Sequence, residues 1–202
     1  MKKLIAITTA AILGAASAGF ADDLNPPPWR QSEATTYQRW DFSTPDNMPV
    51  PDSVYNPYGT PALRVKTDYQ WSDGVWPLSG EIDVYIPNYP PERPEKWIWL
   101  QLTWKPEDLC PDPFLPDEPI VGVVPFDSME MSKTQLNLDD GWKHTTFKIN
   151  LYPNPSEEWI SIKGDIKVDQ VVIDTRCIPE PATLALLGAG ALMVVARRRR
   201  AV

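Results

Sequence analysis

Two acidic residues alternate with apolar ones in the segment GEIDVYI, and this spacing could support chemistry on a sugar. Glu81 and Asp83 lie two positions apart, so a β-strand would project both carboxylates from one face. Glycoside hydrolysis uses a pair of carboxyl groups that flank the bond to be cleaved. The alternative is a solvated outer face, on which alternating acids are common. The segment therefore defines a candidate site without establishing one.

The same segment resembles the EIDxxE strand of the laminarinase-like glycoside hydrolases, which are jelly rolls. By that resemblance Glu81 matches the nucleophile, and the acid/base glutamate would fall where this chain has Tyr85. Ordinary retaining hydrolysis needs a second carboxylic acid to protonate the leaving oxygen. The resemblance thus leaves a divergent laminarinase-like glycosidase only as an alternative.

Other catalytic constellations are missing from the sequence. It contains no GxSxG elbow, no phosphate-binding glycine loop and no HExxH motif. The one histidine, His144, falls within the alternating run WKHTTFKI and is interpreted as an ordinary strand residue. Acidic residues near Cys110 disfavour a reactive thiolate. We therefore predict that the protein is not an enzyme.

The nine tryptophans form the second group of chemical interest. An indole is a flat apolar plate with one hydrogen-bond donor, which suits stacking on the C–H face of a sugar ring. Trp71 and Trp76, in a turn-rich segment, and Trp142, beside Asp-Asp-Gly, are predicted to be exposed and to form a ligand-binding surface. Three others lie in a strand that is apolar on both faces and are predicted to fill the core: Trp97, Trp99 and Trp104.

Acidic turns offer oxygen ligands for a structural calcium ion. Asp139 and Asp140 precede a glycine, and Asp165 and Asp169 lie near the last predicted strand. The spacing matches no dedicated calcium loop, and Asp-Asp-Gly is equally typical of a plain turn. No cofactor is predicted with certainty, and calcium at Asp139 and Asp140 is kept as an alternative.

The two cysteines of the chain are predicted to form one disulfide. An even number of cysteines in an exported protein favours a bond between Cys110 and Cys177, and two free thiols are the alternative. Zinc is disfavoured because the sequence has no CxxC and a single histidine.

The segments that must position these residues alternate between apolar and polar side chains, as β-strands do. Ile82, Val84 and Ile86 share one predicted inward face, and Thr145, Phe147, Ile149 and Leu151 share another. About eight strands are predicted, separated by loops that contain most of the 23 prolines. The predicted segments are GEIDVYIP, KWIWLQLTW, IVGVV, WKHTTFKINLY and DIKVDQVVIDT, with QRWDF, ALRVKT and EEWISI as weaker candidates. This pattern predicts an all-β fold, a β-sandwich of jelly-roll type.

Both ends of the sequence carry targeting signals. Lys2 and Lys3 precede an apolar run and small residues, which is typical of a secretory signal peptide cleaved after Ala18 or Ala21. Near the other end, the apolar run at residues 182–196 is 15 residues long, whereas a membrane span needs about 20. Buried core helices are the alternatives at both ends. By the positive-inside rule, the cluster after the second run stays in the cytoplasm: Arg197, Arg198, Arg199 and Arg200.

The C-terminal tail resembles the PEP-CTERM sorting signal of Gram-negative bacteria, with its motif at Pro179, Glu180 and Pro181, then an apolar helix and a basic cluster. The resemblance implies that an exosortase recognises the motif and removes the tail. Signal peptidase would remove residues 1–21, and the C-terminal helix would contact the inner membrane transiently. The predicted parts are therefore the signal peptide 1–21, the sandwich 22–178 and the sorting tail 179–202. Segments such as PPPWR, GVWPLSG and IWLQLTW resemble uncharacterised PEP-CTERM proteins of planctomycete-like bacteria.

The charge of the predicted mature body limits its partners. Residues 22–178 contain 13 basic and 26 acidic side chains, so nucleic acid is excluded as a partner. We predict a surface or extracellular-matrix protein whose non-catalytic sandwich binds extracellular polysaccharide. The main alternative is a structural, self-assembling matrix protein that uses calcium.

Overall fold

The computed structural model describes residues 23–90, 93–107, 115–124 and 129–179. These residues form nine strands and one short 3-10 turn: β1 Thr35–Trp40, β2 Ser53–Tyr55, β3 Ala62–Lys66, β4 Trp76–Pro87, β5 Glu95–Pro106, β6 Ile120–Val124, β7 Met129–Asn137, the turn Asp139–Gly141, β8 Lys143–Leu151 and β9 Glu157–Ile178. No helix among them is long and apolar enough to cross a membrane. The predicted signal peptide and the apolar run at residues 182–196 lie outside the described residues.

The 22-residue strand β9 is shared by both layers of the fold. Its first half pairs with β4 and β6, and its second half pairs with β1 and β5, always antiparallel. The sheet order gives a six-stranded layer, β2-β1-β9-β5-β8-β7, and a four-stranded layer, β3-β4-β9-β6. Apolar side chains from both layers form one core cluster. The all-β prediction is confirmed, and the jelly-roll connectivity stays a prediction.

The alternating patterns of the sequence place the core as expected. Ile82, Val84 and Ile86 are fully buried, and so are Ile149 and Leu151. Their neighbours along each strand turn outward, because successive side chains of a strand point to opposite faces. The predicted strands β4 and β8 are therefore confirmed in both position and facing.

Several outward-facing strand positions are buried nevertheless, and Thr146 is one of them. Thr146 shares the outward face of β8 with Lys148 and Asn150, yet it is only 2% exposed. Residues 23–34, which we call the N-terminal segment, pack across the outer face of the six-stranded layer. There Asn25 Nδ2 donates a hydrogen bond of 3.2 Å to Thr146 Oγ1, and the Asn25 backbone N–H donates one of 2.8 Å to Gln101 Oε1. A polar outer face is thus buried by the chain itself.

Two of the observed strands, β2 and β7, were not predicted, and two predicted segments form a single strand. The edge strand β7 has no apolar alternation, and eight of its nine residues are exposed, but its continuous ladder with β8 holds it extended. The three-residue strand β2 is too short to show a pattern. The predicted segments EEWISI and DIKVDQVVIDT join through Gly164 into the single strand β9. Pairing partners, rather than local pattern, decide these cases.

A pair of glycines lies where β4 meets the middle of β9. Gly80 and Gly164 face each other in the ladder. A Cβ atom at Gly80 would overlap the backbone carbonyl oxygen of Lys66, and one at Gly164 would lie 3.1 Å from the carbonyl oxygen of Glu118. Both positions are therefore restricted to glycine by the close approach of neighbouring backbone.

Gly80→Ala is expected to lower the free energy of unfolding by about 1–3 kcal/mol, because the added methyl group meets backbone that cannot rotate away. Urea unfolding of the exported protein, followed by tryptophan fluorescence, measures this. The control is Gly122→Ala in β6, where a Cβ atom meets nothing within 4 Å. Equal stabilities of the two variants would contradict the prediction.

Candidate functional site

A cleft of about 590 Å³ opens on the outer face of the six-stranded layer, beside the N-terminal segment. Tryptophan side chains make up much of its wall, namely Trp29, Trp97 and Trp99. Its polar lining consists of Glu130, Ser132, Lys148 and Asn150. An elongated apolar wall with a few polar groups is the usual composition of a ligand site.

The register of the sheet explains how β5 and β8 build this wall. Trp97 lies opposite Asn150, and Trp99 lies opposite Lys148, so the four side chains occupy one patch of the outer face. Ile98, between the two tryptophans, is 1% exposed and anchors the strand in the core. The two indoles are therefore held by a rigid strand and not by a loop.

The N-terminal segment supplies the third tryptophan. Trp29 meets Trp99 edge to face, with ring centroids 6.3 Å apart and an interplanar angle of 74°. The segment is fixed by Arg30, whose Nε and Nη2 each donate a hydrogen bond of 2.6 Å to the Asp174 carboxylate. Arg30 also pairs with Asp23 and stacks over the Tyr37 ring at 4.3 Å. These contacts hold the N-terminal segment, and with it Trp29, against the sheet.

Charges around the cleft are positioned by the same rings. The Lys148 ammonium lies 4.2 Å from the centroid of the Trp99 ring, within the range of a cation–π interaction. Trp97 Nε1 donates a hydrogen bond of 2.5 Å to Glu95 Oε1, which also accepts one of 2.7 Å from the Tyr152 hydroxyl. The Trp97 ring is thus held at its edge, and the Trp99 ring is covered on one side by the Lys148 ammonium.

The tryptophans predicted to be exposed are not those that line the cleft. Trp76 is 6% exposed and belongs to the core, so its predicted exposure is wrong. Trp71 packs partly against that core, and its Nε1 donates a hydrogen bond of 2.8 Å to the Phe42 carbonyl. The two line a separate hollow of about 320 Å³. Trp142 is half-buried elsewhere, beneath the Lys105 ammonium at 4.8 Å.

The prediction that three tryptophans of β5 fill the core is confirmed for Trp104 alone, which is fully buried. Trp97 and Trp99 are half-buried and face outward. A signal was present in the sequence, because Trp97 and Trp99 share strand parity with the polar Gln101 and Thr103. Both of those polar residues also turn away from the core, and Gln101 lies beneath Asn25 and Asp23 of the N-terminal segment.

The acidic pair on β4 is part of a surface ion-pair network. Glu81 lies 3.3 Å from Lys163 Nζ and 3.6 Å from Lys66 Nζ, and Lys66 also pairs with Asp83. Burial raises the pKa of Glu81, but a hydrogen bond from Ser161 and the Lys163 ammonium outweigh it and leave that pKa lowered. An ionised, paired Glu81 fits the solvated-face interpretation of this strand.

Tyr85 occupies the position at which the laminarinase-like pattern has its acid. Its hydroxyl donates a hydrogen bond of 2.9 Å to Glu157 Oε2. This bond, rather than a role in proton transfer, accounts for its raised pKa, because the neighbouring carboxylate disfavours a phenolate.

The remaining predicted sites are described only in part. Asp139 and Asp140 are exposed in the 3-10 turn, and no three acidic, histidine or cysteine side chains of the described residues cluster closely enough to hold a metal. The Cys177 sulfur is buried, forms no disulfide with another described residue and lies 3.5 Å from Asn154 Oδ1. Cys110 lies outside the described residues. Calcium binding and the disulfide therefore stay predictions.

The end of β9 connects the sandwich to the sorting tail. The strand ends at Ile178 and Pro179 follows, exposed, whereas Glu180, Pro181 and the four arginines lie outside the described residues. The molecule is thus a β-sandwich whose central strand leads directly into a Pro-Glu-Pro segment.

The family model of the PEP-CTERM protein-sorting motif matches residues 178–200 of the sequence. The chain carries this sorting motif at its C-terminal end, and the motif implies export, processing by an exosortase and a cell-surface or extracellular location. No match was found among curated proteins. None was found among solved structures.

Proposed function

We propose that this protein is a component of the extracellular matrix or surface of a Gram-negative-type bacterium, and that its sandwich binds polysaccharide without cleaving it. The observation that carries the proposal is the pair of outward indoles, Trp97 and Trp99, on one rigid strand in a cleft of about 590 Å³. Two plates spaced along a strand suit successive sugars of an extended chain, because residues i and i+2 are about 6.6 Å apart.

The lining of the cleft supports binding rather than hydrolysis. Sugar hydroxyl groups need both donors and acceptors, which Lys148, Asn150, Ser132 and Glu130 supply. Glu130 is the one carboxylate among the described residues that line the cleft. Two carboxyl groups are required for ordinary glycoside hydrolysis. The cleft therefore favours a binding module.

Trp97→Ala is expected to weaken polysaccharide binding by roughly tenfold. Covering about 60 Å² of indole with a sugar contributes on the order of 1.5 kcal/mol, which corresponds to that factor in Kd. Affinity electrophoresis of the exported protein through gels that contain soluble polysaccharides measures the change.

Trp71→Ala is the matched control, because Trp71 is half-buried but lies outside the cleft. If retardation survives Trp97→Ala and Trp99→Ala but disappears with Trp71→Ala, the polysaccharide binds in the hollow lined by Trp71 and not in the cleft. Retardation by no polysaccharide would overturn the proposal.

A structural role is the second candidate, and the edge strand β7 favours it. Among the described residues β7 pairs only with β8, so one row of its backbone groups is open to another strand. Exposed Met131 and Leu136 add apolar surface along this edge. Size measurements that show concentration-dependent assembly, together with no polysaccharide binding, would favour this role.

A further inference from the structure

The outer face of the four-stranded layer carries a second hollow, on the opposite side of the sandwich from the cleft. It measures about 280 Å³ and is lined by Trp159 of β9, Asp83 of β4, four residues of β3 (Ala62, Leu63, Arg64 and Lys66) and Met48. We propose that this hollow binds a hexuronate residue of an acidic polysaccharide. The cross-linking role derived from it below rests on the proposed function of the cleft, whereas the hollow itself does not.

The aromatic wall of the hollow is the most direct observation. Trp159 is 45% exposed, although the residues on either side of it along β9, Glu158 and Ile160, are fully buried. Its ring lies 5.0 Å from that of Tyr85, tilted by 44°. The hydrogen bond from the Tyr85 hydroxyl to Glu157 holds the second ring. An exposed indole is thus supported from one side and open on the other.

The charges of the lining select an anionic sugar. Lys66 is occupied by Asp83 and Glu81. Arg64 is exposed and makes no ion pair or hydrogen bond with any described residue. The hollow therefore has two cationic side chains against one carboxylate, in a protein whose net charge is negative. The unpaired group is the guanidinium.

A guanidinium beside an indole fits a hexuronate in particular. The planar fork of Arg64 can donate two parallel hydrogen bonds to a carboxylate, while Trp159 stacks on the C–H face of the ring that bears it. Sulfate esters share the negative charge of a carboxylate. The test must therefore separate a polyuronate from a sulfated neutral polymer.

Two sites on opposite faces would let one molecule bridge two polysaccharide chains. The cleft is open to the outer face of the six-stranded layer, and the hollow to that of the four-stranded layer. Because the sites face away from each other, they cannot easily serve the same straight stretch of chain. A matrix cross-linker follows from this geometry, with avidity rather than single-site affinity as its advantage.

The test uses the exported protein in gels of alginate, dextran or dextran sulfate, with a chelator to remove calcium. In the double variant Trp97→Ala and Trp99→Ala, which disables the cleft, alginate is expected still to retard migration, and dextran is not. Adding Arg64→Gln or Trp159→Ala is expected to weaken that residual retardation, with a Kd for alginate at least tenfold higher. The matched control is Lys163→Gln, a cation of the same face that pairs with Glu81 and does not line the hollow.

Each result bears on one proposal. The proposed site in the hollow would be overturned if the cleft-disabled variant were not retarded by alginate. It would also be overturned if neither Arg64→Gln nor Trp159→Ala changed that retardation. Equal retardation by dextran sulfate would overturn its assignment to a uronate. Full retardation by alginate after loss of Trp97 and Trp99, still reduced by Arg64→Gln or Trp159→Ala, would overturn the cleft and leave the hollow standing. If the molecule cross-links polysaccharide, the unmodified protein should make an alginate solution turbid. A variant that lacks either the cleft or the hollow should not.

Discussion

Replacing Lys96 with methionine is expected to lower the free energy of unfolding by about 3–5 kcal/mol, because it leaves a carboxylate buried without its partner. The Lys96 ammonium and the Glu158 carboxylate are 2.5 Å apart, and both side chains are fully buried at one end of the sandwich. Asn88 donates a further hydrogen bond to Glu158. Burial raises the pKa of Glu158, and Lys96 is the main group that opposes this.

Denaturant unfolding of three variants separates the pair from the packing around it. The double variant Lys96→Met and Glu158→Gln removes both charges and keeps an acceptor for Asn88, so most of the lost stability is expected to return. Lys163→Met, which removes a half-exposed partner of Glu81, is expected to cost less than about 1 kcal/mol. A loss no larger for Lys96→Met than for Lys163→Met would show that Glu158 is not held as a buried charge.

Replacing Arg30 with methionine is expected to destabilise the fold by about 3–5 kcal/mol near neutral pH and by much less near pH 4. Burial raises the pKa of Asp174 to about 6, against the opposing hydrogen bonds and charge of Arg30. Burial also lowers the pKa of Arg30, but its bonds to Asp174 and Asp23 outweigh this and raise it. Removing Arg30 therefore raises the pKa of Asp174 further.

The sign of the pH dependence follows from that direction. A carboxyl group whose pKa is about 6 in the folded protein and about 3.9 in the unfolded chain stabilises the fold below the lower value. This contribution is lost as the pH rises through about 6. Without Arg30 the loss extends to higher pH, so the gap between the variant and the unmodified protein should widen from pH 4 to pH 7.5.

Unfolding curves at several pH values measure this gap, and Arg39→Met is the control. Arg39 pairs with Asp41 at 3.1 Å on the surface of β1, so its loss is expected to cost less than about 1 kcal/mol with no widening. A constant gap for Arg30→Met would show that Asp174 does not control it. Because Arg30 also fixes the segment that carries Trp29, polysaccharide binding by the cleft should weaken in the same variant.

Each of the two ion pairs contains a fully buried carboxylate, and the two pairs support different parts of the sandwich. Lys96 and Glu158 lie close to Cys177, near the point where β9 leads into the sorting motif. Arg30 belongs to the N-terminal segment and ties it to Asp174 of β9, next to Trp29 of the cleft. The first pair therefore supports the exit to the processed tail, and the second supports the candidate binding surface.

Sequence alone determined the sorting address and the class of fold. Pro-Glu-Pro, the apolar run and the arginines form a linear signal, which an enzyme can recognise without a folded context. The alternation in β4 and β8 is equally local, because a strand buries every second residue wherever its partners lie. The same rule could not supply Glu158 as the buried partner of Lys96, because the two residues lie on different strands.

Only the tertiary structure decided which tryptophans face solvent. Trp76 was assigned to a turn and lies in the core, whereas Trp97 and Trp99 were assigned to the core and line the cleft. The outer face of a strand is exposed or covered according to what packs over it, and here residues 23–34 cover part of that face and leave a groove beside it. Such a covering segment is distant in sequence from the strand that it protects, so no local pattern in β5 could reveal it.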